Sequence, residues 1–155
     1  MKILIFSDSH GDTAAMHIAV GAHKPDMLIH LGDVYGDALA LKRYGIPLRC
    51  VAGNNDYFAK INKSDELELS GKKIFLTHGH AFGVKSESGL RSLLEHGARN
   101  GYDAVLFGHT HRPYVRRRSG LWMICPGSIG GWGARATYGV MEVDEAGIEV
   151  EINEA

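Results

Sequence analysis

The sequence predicts an α/β domain in which helices pack on two β-sheets. Three observations predict it. The first third alternates short apolar runs with helical stretches in the order β-α-β-α-β, the pattern of a parallel sheet. The second half gives apolar runs separated by tight turns containing glycine, the pattern of antiparallel strands. With 155 residues, 45% of them hydrophobic and 23% charged, the chain has the size of one domain, 1–155, with a core that needs no staples.

Ile3 to Phe6 form a continuous apolar run, as expected of a strand covered on both faces. After a polar loop from Asp8 to Asp12, Thr13 to His23 read as a helix with Asp12 as N-cap, closed by Pro25. Met27 to Leu31 are a second strand, ending at Gly32-Asp33. Asp37 to Tyr44 read as a short helix stopped by Gly45. Leu48 to Ala52 are a third strand, followed by Gly53-Asn54-Asn55-Asp56. Glu66 to Leu69 and Lys72 to Thr77 flank Ser70-Gly71 and read as a hairpin. Glu87 to Asn100 place Leu90, Leu93, Leu94 and Ala98 at helical spacing. Asp103 to Phe107 are a strand delivering Gly108-His109-Thr110-His111. Pro113–Arg118, Leu121–Cys125, Thr137–Val143 and Ile148–Ile152 complete the strands, with turns at Ser119-Gly120 and Ala146-Gly147.

The 17 basic and 18 acidic residues nearly cancel, leaving a net charge of −1. That balance gives no electrostatic footprint for a nucleic acid or an anionic membrane. Arg116-Arg117-Arg118 is the densest basic cluster and reads as a solvated hairpin tip. Cys50 and Cys125 lie in apolar stretches and read as buried free thiols. No apolar run approaches the length of a membrane span, and the first is too short for a signal-peptide core, so a cytoplasmic location is expected.

Five polar signals each follow an apolar run: Asp8-Ser9-His10, Gly32-Asp33, Gly53-Asn54-Asn55-Asp56, Thr77-His78-Gly79-His80 and Gly108-His109-Thr110-His111. In open α/β sheets ligands bind at the carboxyl ends of strands, where these groups fall. Imidazoles, carboxylates and an amide oxygen without thiolate suit Mn, Fe, Co, Ni or Zn better than Ca or Cu(I). Asp8 with His10, and His109 with His111, each present two donors separated by one residue, so one turn can aim both at an ion. If two ions bind, one carboxylate bridges them, and Asp33 is placed for that. Two ions about 3.5–4 Å apart clamp the attacking and leaving oxygens of a phosphoryl displacement. After Asp8, Asp33 and a bridging hydroxide are counted, such a site stays net positive. Neutral Asn54 preserves that charge. The expected nucleophile is the metal-bound hydroxide.

Taken in this order, Asp-x-His, Gly-Asp, Gly-Asn-x-Asp, Thr-His-Gly-His and Gly-His-Thr-His resemble the motifs of the calcineurin-like metallophosphoesterases. Cys125-Pro126-Gly127-Ser128 resembles that family's Asn-Pro-Gly-Ser and points to its small bacterial and archaeal phosphodiesterase branch. The resemblance implies a four-layer αββα sandwich of two mixed sheets flanked by helices. It implies one ion on Asp8, His10, Asp33 and His111, and a second on Asp33, Asn54, His78 and His109. The implied cofactors are two divalent transition-metal ions, manganese first, with nickel, iron, zinc and cobalt as alternatives. The implied substrate is a small phosphodiester, nucleotide-like or a model diester, and the implied assembly a homodimer or homotetramer.

One position departs from the pattern. Larger relatives carry His after the Asn of the Gly-Asn motif, where this chain has Asn55, which is no proton donor of useful pKa. Asn55 can still bind a phosphate oxygen, and His80 is the nearest spare imidazole for a catalytic proton. Arg135 and Trp132 read equally as substrate contacts or surface groups. The Gly127–Gly133 stretch has no helix after it, so it reads as a loop bordering the site rather than a phosphate cradle. His30 reads as a support of the metal ligands or a packed core histidine. Asp56 reads as a loop cap. The rival functions are a non-catalytic protein-binding scaffold of the same fold and a phosphomonoesterase.

Overall fold

The computed structural model describes residues 1–132 and 135–155. One sheet holds β1 (Lys2–Phe6), β2 (Met27–His30), β3 (Leu48–Cys50), β9 (Thr137–Val143) and β10 (Ile148–Glu154), in the order β10-β9-β1-β2-β3. The other holds β4 (Ser64–Leu69), β5 (Lys72–Thr77), β6 (Ala104–Leu106), β7 (Pro113–Arg118) and β8 (Leu121–Pro126), in the order β4-β5-β6-β8-β7. Both sheets are mixed. In the first, β1, β2 and β3 pair in parallel while β9 pairs antiparallel with β1 and β10. In the second, β5, β6 and β8 run in parallel, with β4 and β7 antiparallel at the edges.

The continuous apolar run of β1 is explained by burial on both faces. Ile3 and Ile5 enter a central cluster with Ile29, Leu31, Ile74, Leu76, Leu106 and Ile124, which come from both sheets. Leu4 and Phe6 point the other way, onto Met16, Ala19 and Val20 of α1 (Ala14–His23). On the outer face of the second sheet, Phe75, Val105 and Met123 pack with Leu93 of α3 (Glu87–Arg99). The layers are therefore helix, sheet, sheet, helix.

Local differences from the sequence reading have physical causes. Thr13, not Asp12, is the N-cap of α1; Asp12 lies one residue earlier and its Oδ1 accepts the Ala14 amide at 3.2 Å. The predicted Asp37–Tyr44 helix is two pieces. α2 spans Tyr35–Leu39, and a 3₁₀ turn over Ala40–Tyr44 ends at Gly45 with φ 66°. β2 and β3 stop at His30 and Cys50, because the residues beyond them turn toward the polar loops. Cys50 and Cys125 are free, and burial pushes both thiols up to about 12, which leaves them inert.

Among the described residues no helix is long and apolar enough to cross a membrane. The parallel strands decide where chemistry can sit. The loops leaving β1, β2, β3, β5 and β6 meet at one edge of the sandwich, and the segment after β8 joins them through Ile129 N donating to Ser7 O at 3.0 Å.

Candidate metal centre

The seven residues expected to ligate metal come together at that edge. Four arrive from the first sheet (Asp8, His10, Asp33, Asn54) and three from the second (His78, His109, His111). Their donor atoms form two groups, Asp8-His10-His111 and Asp8-Asp33-His78, each with all atoms within 4.8 Å of one another. Asn54 Oδ1 lies 3.1 Å from His78 Nε2, and the His109 ring packs edge-on to His78 with centroids 5.0 Å apart. Asp8 is the member common to both groups.

The backbone is bent to bring them there. Asp8, His10, Asp33, His109 and His111 all have positive φ, between 47° and 67°. Asp and His tolerate this region better than most residues, yet each such residue costs about 1–3 kcal/mol and persists only where its surroundings hold it there. At Asp8 and Asp33 hydrogen bonds hold it. Asp8 N donates to Gly32 O at 3.0 Å, and Ser128 Oγ donates to Asp8 O at 2.8 Å. Asp56 ties two loops together: its Oδ2 accepts Asp33 N at 2.9 Å and Gly53 N at 2.8 Å, while Oδ1 accepts Tyr35 N at 2.6 Å. This is the loop cap read from the sequence. Close approach also demands glycine. A Cβ on Gly53 would stand 2.0 Å from Asp33 Oδ1, and one on Gly108 would stand 1.9 Å from Ser7 Oγ.

His30 belongs to the support, not to the ligand set. Its Nδ1 accepts the Gly32 amide at 3.3 Å, so Nε2 carries the proton and donates to Ser9 Oγ at 3.2 Å. Ser9 Oγ donates in turn to Asp37 Oδ2 at 2.8 Å, which also accepts Gly11 N at 2.7 Å. Burial, partly offset by Asp56 and Asp37, lowers the pKa of His30 to about 4. The ring is a neutral strut under the first loop.

The donor set fits divalent cations. A carbonyl only accepts, so the 2.7 Å contact of His78 Nδ1 with Leu31 O fixes the proton on Nδ1. The lone pair of Nε2 then faces Asn54 Oδ1 at 3.1 Å, Asp33 Oδ2 at 3.7 Å and Asp8 Oδ1 at 3.9 Å. A lone pair among three oxygens is repulsive until a cation lies between them. Asp8 Oδ1 tells the same story. It is fully buried and accepts no aligned hydrogen bond, although His111 Nε2 stands 3.1 Å away. Its partner oxygen Oδ2 is held by Ser7 Oγ at 2.5 Å and His109 N at 3.0 Å. Burial first, then His78 and Lys85, lower the pKa of His109 to about 4, so its ring offers a lone pair at neutral pH.

Other expected site residues are placed differently. Asn55 directs both its donors onto Asp33, with N at 2.9 Å from Oδ1 and Nδ2 at 2.7 Å from Oδ2, rather than toward a phosphate. Arg135 is exposed and pairs with Glu154 at 2.6 Å, at the end of β10, which holds its guanidinium on the surface. His80 lies beside the ligands, its ring 5.5 Å from His78 and 6.1 Å from His109, with Nδ1 buried and unpartnered. Burial, His78 and Lys63 lower its pKa. Trp132 stacks on His10 at 4.8 Å, and its carbonyl stands 3.3 Å from His111 Nδ1. Of the loop expected to border the site, Gly133 lies outside the described residues. Ser7, Ser9, Asp37 and Ser128 were not foreseen as supports, although the two serines flanking Asp8 stood out as polar residues directly after a buried strand and Ser128 as part of the Cys125-Pro126-Gly127-Ser128 motif.

Similarity to known proteins shows the family and the fold. Residues 1–146 match the family profile described as the calcineurin-like phosphoesterase superfamily domain. The probable metallophosphoesterase YsnB of Bacillus subtilis is 33% identical over 133 residues, covering 83% of this chain and 75% of that protein. The phosphodiesterase YfcE of Escherichia coli is 27% identical, covering 93% and 89% respectively. A predicted phosphoesterase from Streptococcus pneumoniae superposes with a TM-score of 0.83 at 26% identity, over 99% of this chain and 88% of that one. Vps29 of Entamoeba histolytica superposes with a TM-score of 0.80 over 100% and 99% of the two chains, but at 17% identity it shares the fold alone.

Proposed function

Because the chain belongs to the calcineurin-like phosphoesterase superfamily, we propose that it is a divalent-metal-dependent phosphodiesterase acting on a small diester. The observation that carries the reading is the buried, cation-demanding set of Asp8, Asp33 and His78 at the carboxyl ends of parallel strands. We assign one ion to Asp8, His10, Asp33 and His111, and the other to Asp33, Asn54, His78 and His109, with manganese the first choice. Divalent ions held there supply Lewis acidity to the phosphoryl oxygens and bring the pKa of an attacking water toward neutrality.

The chain's own groups make this workable. Ser7 and the His109 amide fix one oxygen of Asp8 and leave the other free to ligate. Neutral Asn54 and the uncharged His109 ring add donors without adding negative charge, which keeps the site attractive to a phosphate ester. Asn55 keeps the Asp33 carboxylate in one orientation. His80, next to the ligands, is the group we assign to the leaving oxygen. The diester preference follows the relatives called phosphodiesterases.

A small substrate suits the charge distribution better than a nucleic acid. The Arg116-Arg117-Arg118 cluster ends β7, whose first residue, Pro113, adjoins the metal loop. Five residues of strand put Arg118 about 17 Å from that end. Arg116 and Arg117 lie over Tyr114 and Trp122 rather than the site. The test is turnover of bis(4-nitrophenyl) phosphate and 4-nitrophenyl phosphate by metal-stripped protein reloaded with Mn²⁺ or Ni²⁺. Metal-dependent turnover with the diester faster is expected. A protein inert with every transition metal, yet correctly folded, overturns the hydrolase reading.

A further inference from the structure

Two recesses of about 540 and 330 Å³ adjoin each other on the outer face of the second sheet, and the activity as proposed gives them no role. Leu90 of α3 and Tyr114 of β7 line both, so the two form one groove between helix and strand. One end reaches Thr110, between the proposed ligands His109 and His111; the other reaches Arg118 and Met123. Val84, Phe107 and Met123 give the groove a buried apolar floor. Leu90, Leu94 and Tyr114 are left only partly buried along it.

Charge is spread unevenly over the rim. Lys85 and Arg112 flank the end at Thr110, where no acidic residue lines the groove. Arg91 and Arg118 flank the other end, but Glu87 stands with them. None of these four cations forms an ion pair among the described residues. The backbone carrying the first pair is anchored. Thr110 Oγ1 donates to Arg112 O at 3.0 Å and accepts Arg112 N at 3.2 Å. Ser86, next to Lys85, caps α3 by accepting Gly89 N at 3.1 Å.

We infer that this groove binds a single-chain anionic amphiphile of the medium-chain carboxylate class. Its head lies at the Lys85 and Arg112 end, and its chain runs along Leu90 and Leu94 toward Met123. The uneven charge sets that direction, because Glu87 repels an anion from the far end. The apolar floor selects a hydrocarbon chain over a peptide. A peptide laid there leaves backbone N–H and C=O groups facing hydrocarbon, whereas a polymethylene chain has none to satisfy. The larger recess alone falls within the size range of small-molecule pockets.

The test is calorimetry of acetate, hexanoate, octanoate and decanoate binding to the Mn²⁺-loaded protein. Acetate reads what the carboxylate contributes alone, at the metal or at the cations. A chain half covered by the groove gains about two-fold in affinity per methylene, so decanoate binds about 15-fold more tightly than hexanoate. Lys85→Ala and Arg112→Ala each weaken decanoate by up to about five-fold, and Leu90→Gln flattens the gain with chain length. Lys85 and Arg112 are exposed, so their variants fold. Affinity that does not rise with chain length overturns the inference. So does a rise that all three variants leave unchanged, which puts the chain elsewhere. A protein that ignores decanoate yet sediments with phosphatidylglycerol vesicles overturns it in favour of a membrane surface. Calorimetry reads binding and not turnover, so the result stands whether or not a diester is hydrolysed.

Discussion

His30 makes the fold's stability depend on acid in a calculable way. The ring is 1% exposed and accepts a backbone N–H on Nδ1. A proton there would meet the Gly32 donor head-on and place a charge at a site cut off from water. The folded-state pKa is therefore held at about 4 against 6.5 for the free side chain. A base whose folded pKa is depressed contributes stability that is complete above the unfolded value. That stability is lost as pH falls from 6.5 toward 4, because only the unfolded chain takes up the proton. Linkage with these two values gives a loss of about 2 kcal/mol at pH 5 and about 3 kcal/mol at pH 4. At this depth solvent screening takes little away. The assay is urea denaturation of metal-free protein and of His30→Gln at pH 7 and pH 5. Other titrating groups are shared, so the wild-type advantage should narrow by about 2 kcal/mol on acidification. A gap that stays constant between the two pH values refutes the strut assignment and the tautomer drawn from it.

Three further outcomes follow from the site. Gly53→Ala places a methyl group 2.0 Å from Asp33 Oδ1, so the loop must yield by about 1 Å, and turnover should drop about 100-fold with the protein still folded by circular dichroism; activity within two- or three-fold of wild type contradicts the packing. Asn55→Ala removes the 2.7 Å bond to Asp33 Oδ2 and should weaken Mn²⁺ binding about ten-fold in a fluorescence-quench titration, a loss of about 1.5 kcal/mol, with KM for the ester little changed. A raised KM with intact metal affinity would return Asn55 to the substrate. Asp33→Ala should drop bound metal from two equivalents to none by plasma emission spectrometry if Asp33 bridges; one retained equivalent transfers the shared role to Asp8, the member common to both groups.

The layers of the fold were legible because apolar runs and turn residues obey local rules. Ile3 to Phe6 read as a doubly covered strand and are one, and Ser70-Gly71 read as a hairpin turn and is one. The candidate donors were legible too, since Asp8, Asp33 and the paired histidines each follow a strand. What the sequence concealed is the direction of side chains in loops. Nothing in Asn55 or Arg135 announces that one will turn back onto Asp33 and the other onto Glu154. Positive φ at Asp8 and Asp33 is equally hidden, because it is held by hydrogen bonds with Gly32, Ser128 and Asp56, each more than 20 positions away. Periodicity alone does not resolve the break between α2 and the Ala40–Tyr44 turn, whose Leu41 packs with the first sheet.

Four proposed donors ride on one sheet and three on the other, so a cation held by them would act as a rivet through the sandwich. The two leaves could not then slide across their shared apolar layer without prising the rivet loose. Shortening a side chain in that layer, such as Leu106 or Ile124, would let the leaves settle closer and detune affinity for the ion from a position that never touches it.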